Sequence, residues 1–144
     1  MVALAGAAPV QAGLLSEPER SVLAEMNRVR AAHGLAGLTV DYRLQLAARA
    51  HAKDMLSRNY FAHGPFISRI LRFGATGPVF GENLAWGTGS RAQARAIVAG
   101  WLASARHRAN MLRGGFTRVG VAAPAGTFSG MADVRMVAAD FAGR

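Results

Sequence analysis

Gly81-Glu82-Asn83-Leu84-Ala85-Trp86-Gly87 sets Glu82, one of only eight acidic residues in the chain, inside an otherwise apolar run. In an extended chain Phe80, Glu82, Leu84 and Trp86 alternate onto one face. A carboxylate on an apolar face is costly to bury unless it is paired or protonated. Two histidines flank it in sequence: His63, in Phe61-Ala62-His63-Gly64, and His107, in His107-Arg108-Ala109-Asn110. These three segments are expected to meet in one polar pocket.

Upstream, Ser16-Glu17-Pro18-Glu19 reads as a capping box, followed by Val22, Met26 and Val29 at helical spacing up to a stop at Gly34. Asn27 and Arg30 lie beside that stripe and are read as ties to neighbouring loops. Residues 35–40 form a short apolar connector. Asp41 caps a second helix whose inner face carries Leu44, Ala47, Ala48, His51 and Met55. His51 is read as a hydrogen-bonded structural histidine, and Arg43, Arg49, Lys53 and Arg58 as facing water. The Gly64-Pro65 pair breaks the pattern, with one or two helical turns over residues 66–73.

Downstream, Ser90 is read as the N-cap of a third major helix with Ala94, Ile97, Val98 and Trp101 inward. Residues 104–112 continue or restart that helix, and Gly114-Gly115 ends it. Phe116–Ala122 reads as a strand, residues 131–141 contain another, and residues 124–130 connect them. Trp86 and Trp101 are both assigned to the core. Helices followed by a terminal antiparallel hairpin predict an α+β layered domain rather than βαβ winding.

The 144 residues suit one domain, residues 14–144, and 51% of them are hydrophobic, as a globular core requires. There is no cysteine, which excludes disulfides and thiolate chemistry. The formal charge of +9 is carried by arginines spread along the chain, with no run above two basic residues. That spread lacks the basic, aromatic-interleaved stripe of a specific nucleic-acid binder and leaves only a general attraction to anionic lipid or wall polymers. Residues 1–13 read as a leader or signal-peptide remnant, with Val10-Gln11-Ala12 resembling a cleavage site. No stretch approaches the length of a membrane span.

Several motifs line up together: Met26-Asn27-Arg28-Val29-Arg30-Ala31-Ala32-His33-Gly34, Ala47-Ala48-Arg49-Ala50-His51-Ala52-Lys53-Asp54-Met55, Phe61-Ala62-His63, Gly81-Glu82-Asn83-Leu84, Trp101-Leu102-Ala103-Ser104, His107-Arg108-Ala109-Asn110-Met111-Leu112, Phe116-Thr117-Arg118-Val119-Gly120-Val121 and Asp140-Phe141. In this order and spacing the chain resembles the bacterial branch of the CAP superfamily, the SCP-like domain of cysteine-rich secretory proteins, antigen 5 and pathogenesis-related 1. The resemblance implies a three-layer α–β–α sandwich around a small antiparallel sheet. It also implies a secreted, extracellular or envelope-associated bacterial protein and a cleft of histidines and glutamates associated in relatives with divalent metals. His63 matches the first histidine of that cleft and Glu82 the first glutamate. The second glutamate falls on Ser104 and the second histidine on Gly115, so His107 of the His-Arg pair is expected to supply the second imidazole. The Pro-Gly that precedes this pair in bacterial relatives is replaced by Ala105-Arg106.

Three chemistries stay open for these residues. His63, Glu82 and His107 could ligate a divalent metal such as Zn with a fourth position open. Histidine beside glutamate, with Ser104 three residues before His107, could transfer protons in a metal-assisted or metal-free hydrolase such as a peptidase. Or the group is a buried network that pins loop, strand and helix together, with Asn83, Arg108 and Asn110 bonding the backbones around the cleft. No complete catalytic set is visible. The leading expectation is a non-enzymatic, monomeric binding module whose cleft takes a lipid, a peptide or a cell-envelope component.

Overall fold

Ser16 opens the first helix with the capping box its sequence predicts: Glu19 N–H donates to the Ser16 hydroxyl, and Ser16 N–H donates to the Glu19 carboxylate at 2.8 Å. The computed structural model describes residues 14–144, so the leader expected over residues 1–13 lies outside the described residues. The elements run α1 (Glu17–Ala32), β1 (Thr39–Val40), α2 (Tyr42–Arg58), α3 (Phe66–Arg72) and β2 (Phe80–Gly87). A 3-10 turn (Gly89–Ala92) leads to α4 (Ala94–Ala103), α5 (Ala105–Met111), β3 (Phe116–Ala122), β4 (Ala125–Phe128) and β5 (Met131–Gly143).

β5 is the spine of the sheet, with β2 along one side and β3 then β4 along the other, all antiparallel to it. Its side chains alternate between two cores. Val137, Ala139 and Phe141 join Val119 and Val121 under α1, α4 and α5, where Met26, Val98 and Trp101 are buried. Met136 and Ala138 join Leu84 and Ala122 under α2, against Ala48, Ala52 and Met55. Leu44 of α2, Ile70 of α3 and Ala142 form a smaller cluster beside them. Helices therefore cover both faces of the sheet, which gives the expected sandwich.

α2 approaches β3 so closely at Gly120 that a Cβ there would lie 2.2 Å from the Leu44 carbonyl carbon. The buried Gln45 amide then completes the edge of β3: its Nε2 donates to Val121 O at 2.5 Å, and Val121 N–H donates to its Oε1 at 2.8 Å. Arg30, also buried, donates to the carbonyls of Ala36, Met111, Arg113 and Phe116, and Asn27 bonds both backbone groups of Leu38.

Four sequence expectations are corrected. β1 lies in the segment read as a connector and pairs in parallel with β3, so the sheet is not wholly antiparallel. Residues 124–130 are not a bare connection, because β4 pairs with β5 through a tight turn whose Ser129 and Gly130 both take positive φ. Ser90 does not cap the third helix; it sits in the 3-10 turn, and α4 begins after Gln93, which makes no side-chain cap. Arg49 does not simply face water: it grips the Glu19 carboxylate, whereas Arg43 is exposed as expected and also donates to Gly74 O. The capping box and a long cross-element ion pair thus share one carboxylate.

Candidate functional site

Glu82 lies on β2 directly opposite Asp140 of β5, on the sheet face covered by α2 and α3. Both carboxyls are buried. Glu82 Oε1 is bonded to His63 Nδ1 at 2.7 Å, and Oε2 accepts a short hydrogen bond from Arg69 Nη2. Arg69 is itself buried and uses Nη1 to hold the His63 carbonyl at 3.0 Å, so one guanidinium fixes both the carboxylate and the loop that carries the imidazole. Gly64, with φ of 62°, turns that loop into α3. The outcome is a buried carboxylate clamped between an imidazole and a guanidinium.

Asp140 has no donor for either oxygen among the described residues. Burial raises its pKa well above the usual carboxylate range, the adjacent Glu82 charge adds to this, and Arg69 opposes it. A proton on Asp140 resolves both problems, because the neutral acid can donate to Glu82. The two carboxyls then share one negative charge that faces one Arg69 cation.

His107 stands at the start of the next wall. Burial, and to a lesser degree the neighbouring His63, lowers its pKa. The two are not hydrogen-bonded. The His107 carbonyl accepts from Asn83 Nδ2 at 3.0 Å, while Asn110 Nδ2 donates to Glu82 O and Asn83 Oδ1. Two asparagines therefore lock α5 to β2. Arg108 differs from the supporting role assigned to it: it is exposed, and its guanidinium has no partner among the described residues. Ser104 marks the break between α4 and α5, in extended conformation with no side-chain cap, so the two helices separate there without Pro-Gly.

Alongside this network runs a groove of about 390 Å³, walled by Leu84, Trp86, Ile97 and Trp101 and edged by Phe61, Arg91 and His107. Trp101 is core, as assigned, and donates its indole N–H to Leu84 O at 3.0 Å. Trp86 is not; it is 39% exposed and packs edge-on against Phe128 at 5.3 Å. Ser104 does not line the groove.

The donor set does not fit a resident divalent cation as arranged. Both Glu82 oxygens are occupied, one by a guanidinium that already supplies the positive charge. Among the described residues no group of three or more His, Cys, Asp or Glu side chains is placed to hold a metal. What the arrangement can do is hold His63 by Nδ1 with its other nitrogen outward, since the side chain is 54% exposed.

Sequence reasoning missed Arg69 and the role of Asp140. Arg69 looked like one of many spread arginines, and Asp140 carried no more than its place in a matching motif. The signal for Asp140 lay in the strand: an acid between Ala139 and Phe141, with apolar residues on both faces, has to meet something on its own face.

Known proteins share this plan. A crystal structure of an extracellular protein containing an SCP domain from Bacillus anthracis superposes with a TM-score of 0.75 at 26% identity, covering 97% of this chain and 45% of that one. An outer surface protein from Borrelia burgdorferi superposes with a TM-score of 0.77 at 19% identity, covering 90% of this chain and 94% of its own, which shows shared fold alone. In sequence, YkwD of Bacillus subtilis is 34% identical over 112 residues, 74% of this chain and 42% of that protein, so this chain spans less than half of its relative. The model of the CAP family, described as the cysteine-rich secretory protein family, matches residues 23–129. With the sandwich and the His63–Glu82 pair both in place, the chain belongs to the CAP family.

Proposed function

We propose that the domain is a secreted or envelope-displayed binding module, and that it takes the apolar part of a lipid, peptide or cell-envelope component in the groove beside the His63–Glu82–Arg69 network. The observation that carries this reading is the position of Trp86: a large ring left in water, lining the groove together with the buried Trp101 and with Phe61. Arg91 at the edge favours a ligand with an anionic end. The similarity to an extracellular protein with an SCP domain supports the location. The polar network supports binding over catalysis, because Glu82 is fully engaged and the Ser104 hydroxyl lies outside the groove.

Two tryptophans make the test direct. Titration with a medium-chain fatty acid or a lysophospholipid should shift Trp86 emission to the blue and saturate, with the buried Trp101 as internal reference. Trp86→Phe should abolish the spectral change and Ile97→Ser should weaken binding about tenfold or more. A flat titration with both ligand types and with a panel of apolar peptides would remove the groove from consideration. A zinc arm is informative in the same cell: saturable zinc binding lost on His63→Ala would mean that Arg69 yields Glu82 to a cation.

A further inference from the structure

A second cavity, of about 420 Å³, opens between α2 and α3 and shares no lining residue with the groove. Arg58 from α2 and Arg69 and Arg72 from α3 line it, with Asp54 as the only acid. Asp54 is already engaged, accepting from the Tyr60 hydroxyl at 2.5 Å and from Arg58 at 3.3 Å. The Tyr60 bond, foremost, holds its pKa below the usual range. Arg69 is matched by Glu82. That leaves Arg72, exposed and with no hydrogen bond or ion pair among the described residues, as uncompensated positive charge.

The wall also holds an orphan donor. Arg69 Nε is buried without an acceptor, and it is the one buried side-chain nitrogen in that condition among the described residues. An unmet buried donor is a rare state in a folded protein, and it belongs to a residue that lines this cavity. His51, which also faces this space, gives its Nε2 hydrogen to Ala62 O at 2.8 Å. Burial, and then the Arg69 charge, lower its pKa, so it adds no charge of its own near neutral pH. Tyr60, Pro65 and Phe73 supply apolar walls.

We propose that this cavity binds a phosphate group, with Arg72 and Arg58 as its direct partners and the Tyr60 and Phe73 rings against the organic body that carries it. Guanidiniums from two helices match an oxyanion with several acceptor oxygens and more than one negative charge better than they match a carboxylate. The site stands independently of the groove, so either can fail without the other.

The test is a titration of ¹⁵N-labelled protein with inorganic phosphate at constant ionic strength, following the arginine Nε–Hε signals. Saturable shifts confined to Arg58, Arg69 and Arg72 are expected, with the half-saturation point raised about tenfold or more by Arg72→Ala. Arg72 has no partner in the fold, so that variant keeps its structure. Glycerol phosphate and vesicles containing phosphatidic acid separate the sources of the phosphate. Tighter engagement of vesicles assigns it to a lipid headgroup, and equal or tighter engagement of the soluble ester assigns it to a free or polymeric phosphoester. Shifts that never saturate, that acetate reproduces, or that Arg72→Ala leaves unchanged would overturn the proposal.

Discussion

At Glu82, three groups from three segments converge on one carboxylate, and removing any one of them leaves another stranded. Glu82→Gln keeps the shape but leaves the Arg69 charge buried without its counter-charge, and should cost about 3–5 kcal/mol in urea unfolding. Arg69→Met in the same background should cost much less than it does alone, because the pair is already broken; additive losses would show that the two do not act as a unit. Asp140 sets a pH dependence of the less usual sign. Its folded pKa is raised well above the ordinary aspartate value of 3.8, so the unfolded chain gives up a proton that the fold keeps. Stability from this group is therefore full at acid pH and drains as pH rises toward the folded value. Asp140→Asn keeps a neutral donor at every pH. As pH rises from about 4 toward the raised folded pKa of Asp140, its urea midpoint should gain on that of the parent. A variant that loses ground as pH rises would mean that Asp140 is ionised in the fold.

At the scale of elements, the contact between α2 and β3 is set by the lack of a side chain. Gly120→Ala would drive a Cβ against the backbone of Leu44 and Gln45, and should cost about 3 kcal/mol or more as α2 lifts and the Gln45 bonds to Val121 are lost. Gly100, inside α4, has nothing within 4 Å of the same added atom, so Gly100→Ala should stabilise by about 0.5–1 kcal/mol. Thermal melts of the two variants should move in opposite directions. Elements whose cues are local were legible in the sequence: the Ser16 box, the Asp41 cap and the His51 stripe all needed only neighbouring residues. The break at Ser104 and the start of α4 were not, because no side-chain cap marks them and packing against α1 and β2 sets them instead. His63 and Glu82 were brought together by cost alone, since a carboxylate on an apolar face has few ways to exist. Arg69 stayed hidden because nothing local separates a clamping arginine from a solvated one. β1 stayed hidden because two residues carry no periodicity.

Across the whole molecule, the charge is unevenly shared. Between Glu82 and Asp133 the chain contains no acidic residue but six arginines, and this half supplies α4, α5 and most of the groove. Its surface is therefore basic around an apolar slot, whereas α1 and α2 interleave acids with bases as Arg28–Glu25, Arg49–Glu19 and Arg58–Asp54 pairs. The connectivity of the sheet is as lopsided. β2, β3 and β4 each pair with β5, and only β1 pairs without it. A chain made from its amino end has its helices and three of its partner strands waiting before residues 131–143 exist. The carboxylate of Glu82 then has no Asp140 opposite it, and neither core has its floor. The sheet and both cores therefore close only once residues 131–143 have joined the strands made before them.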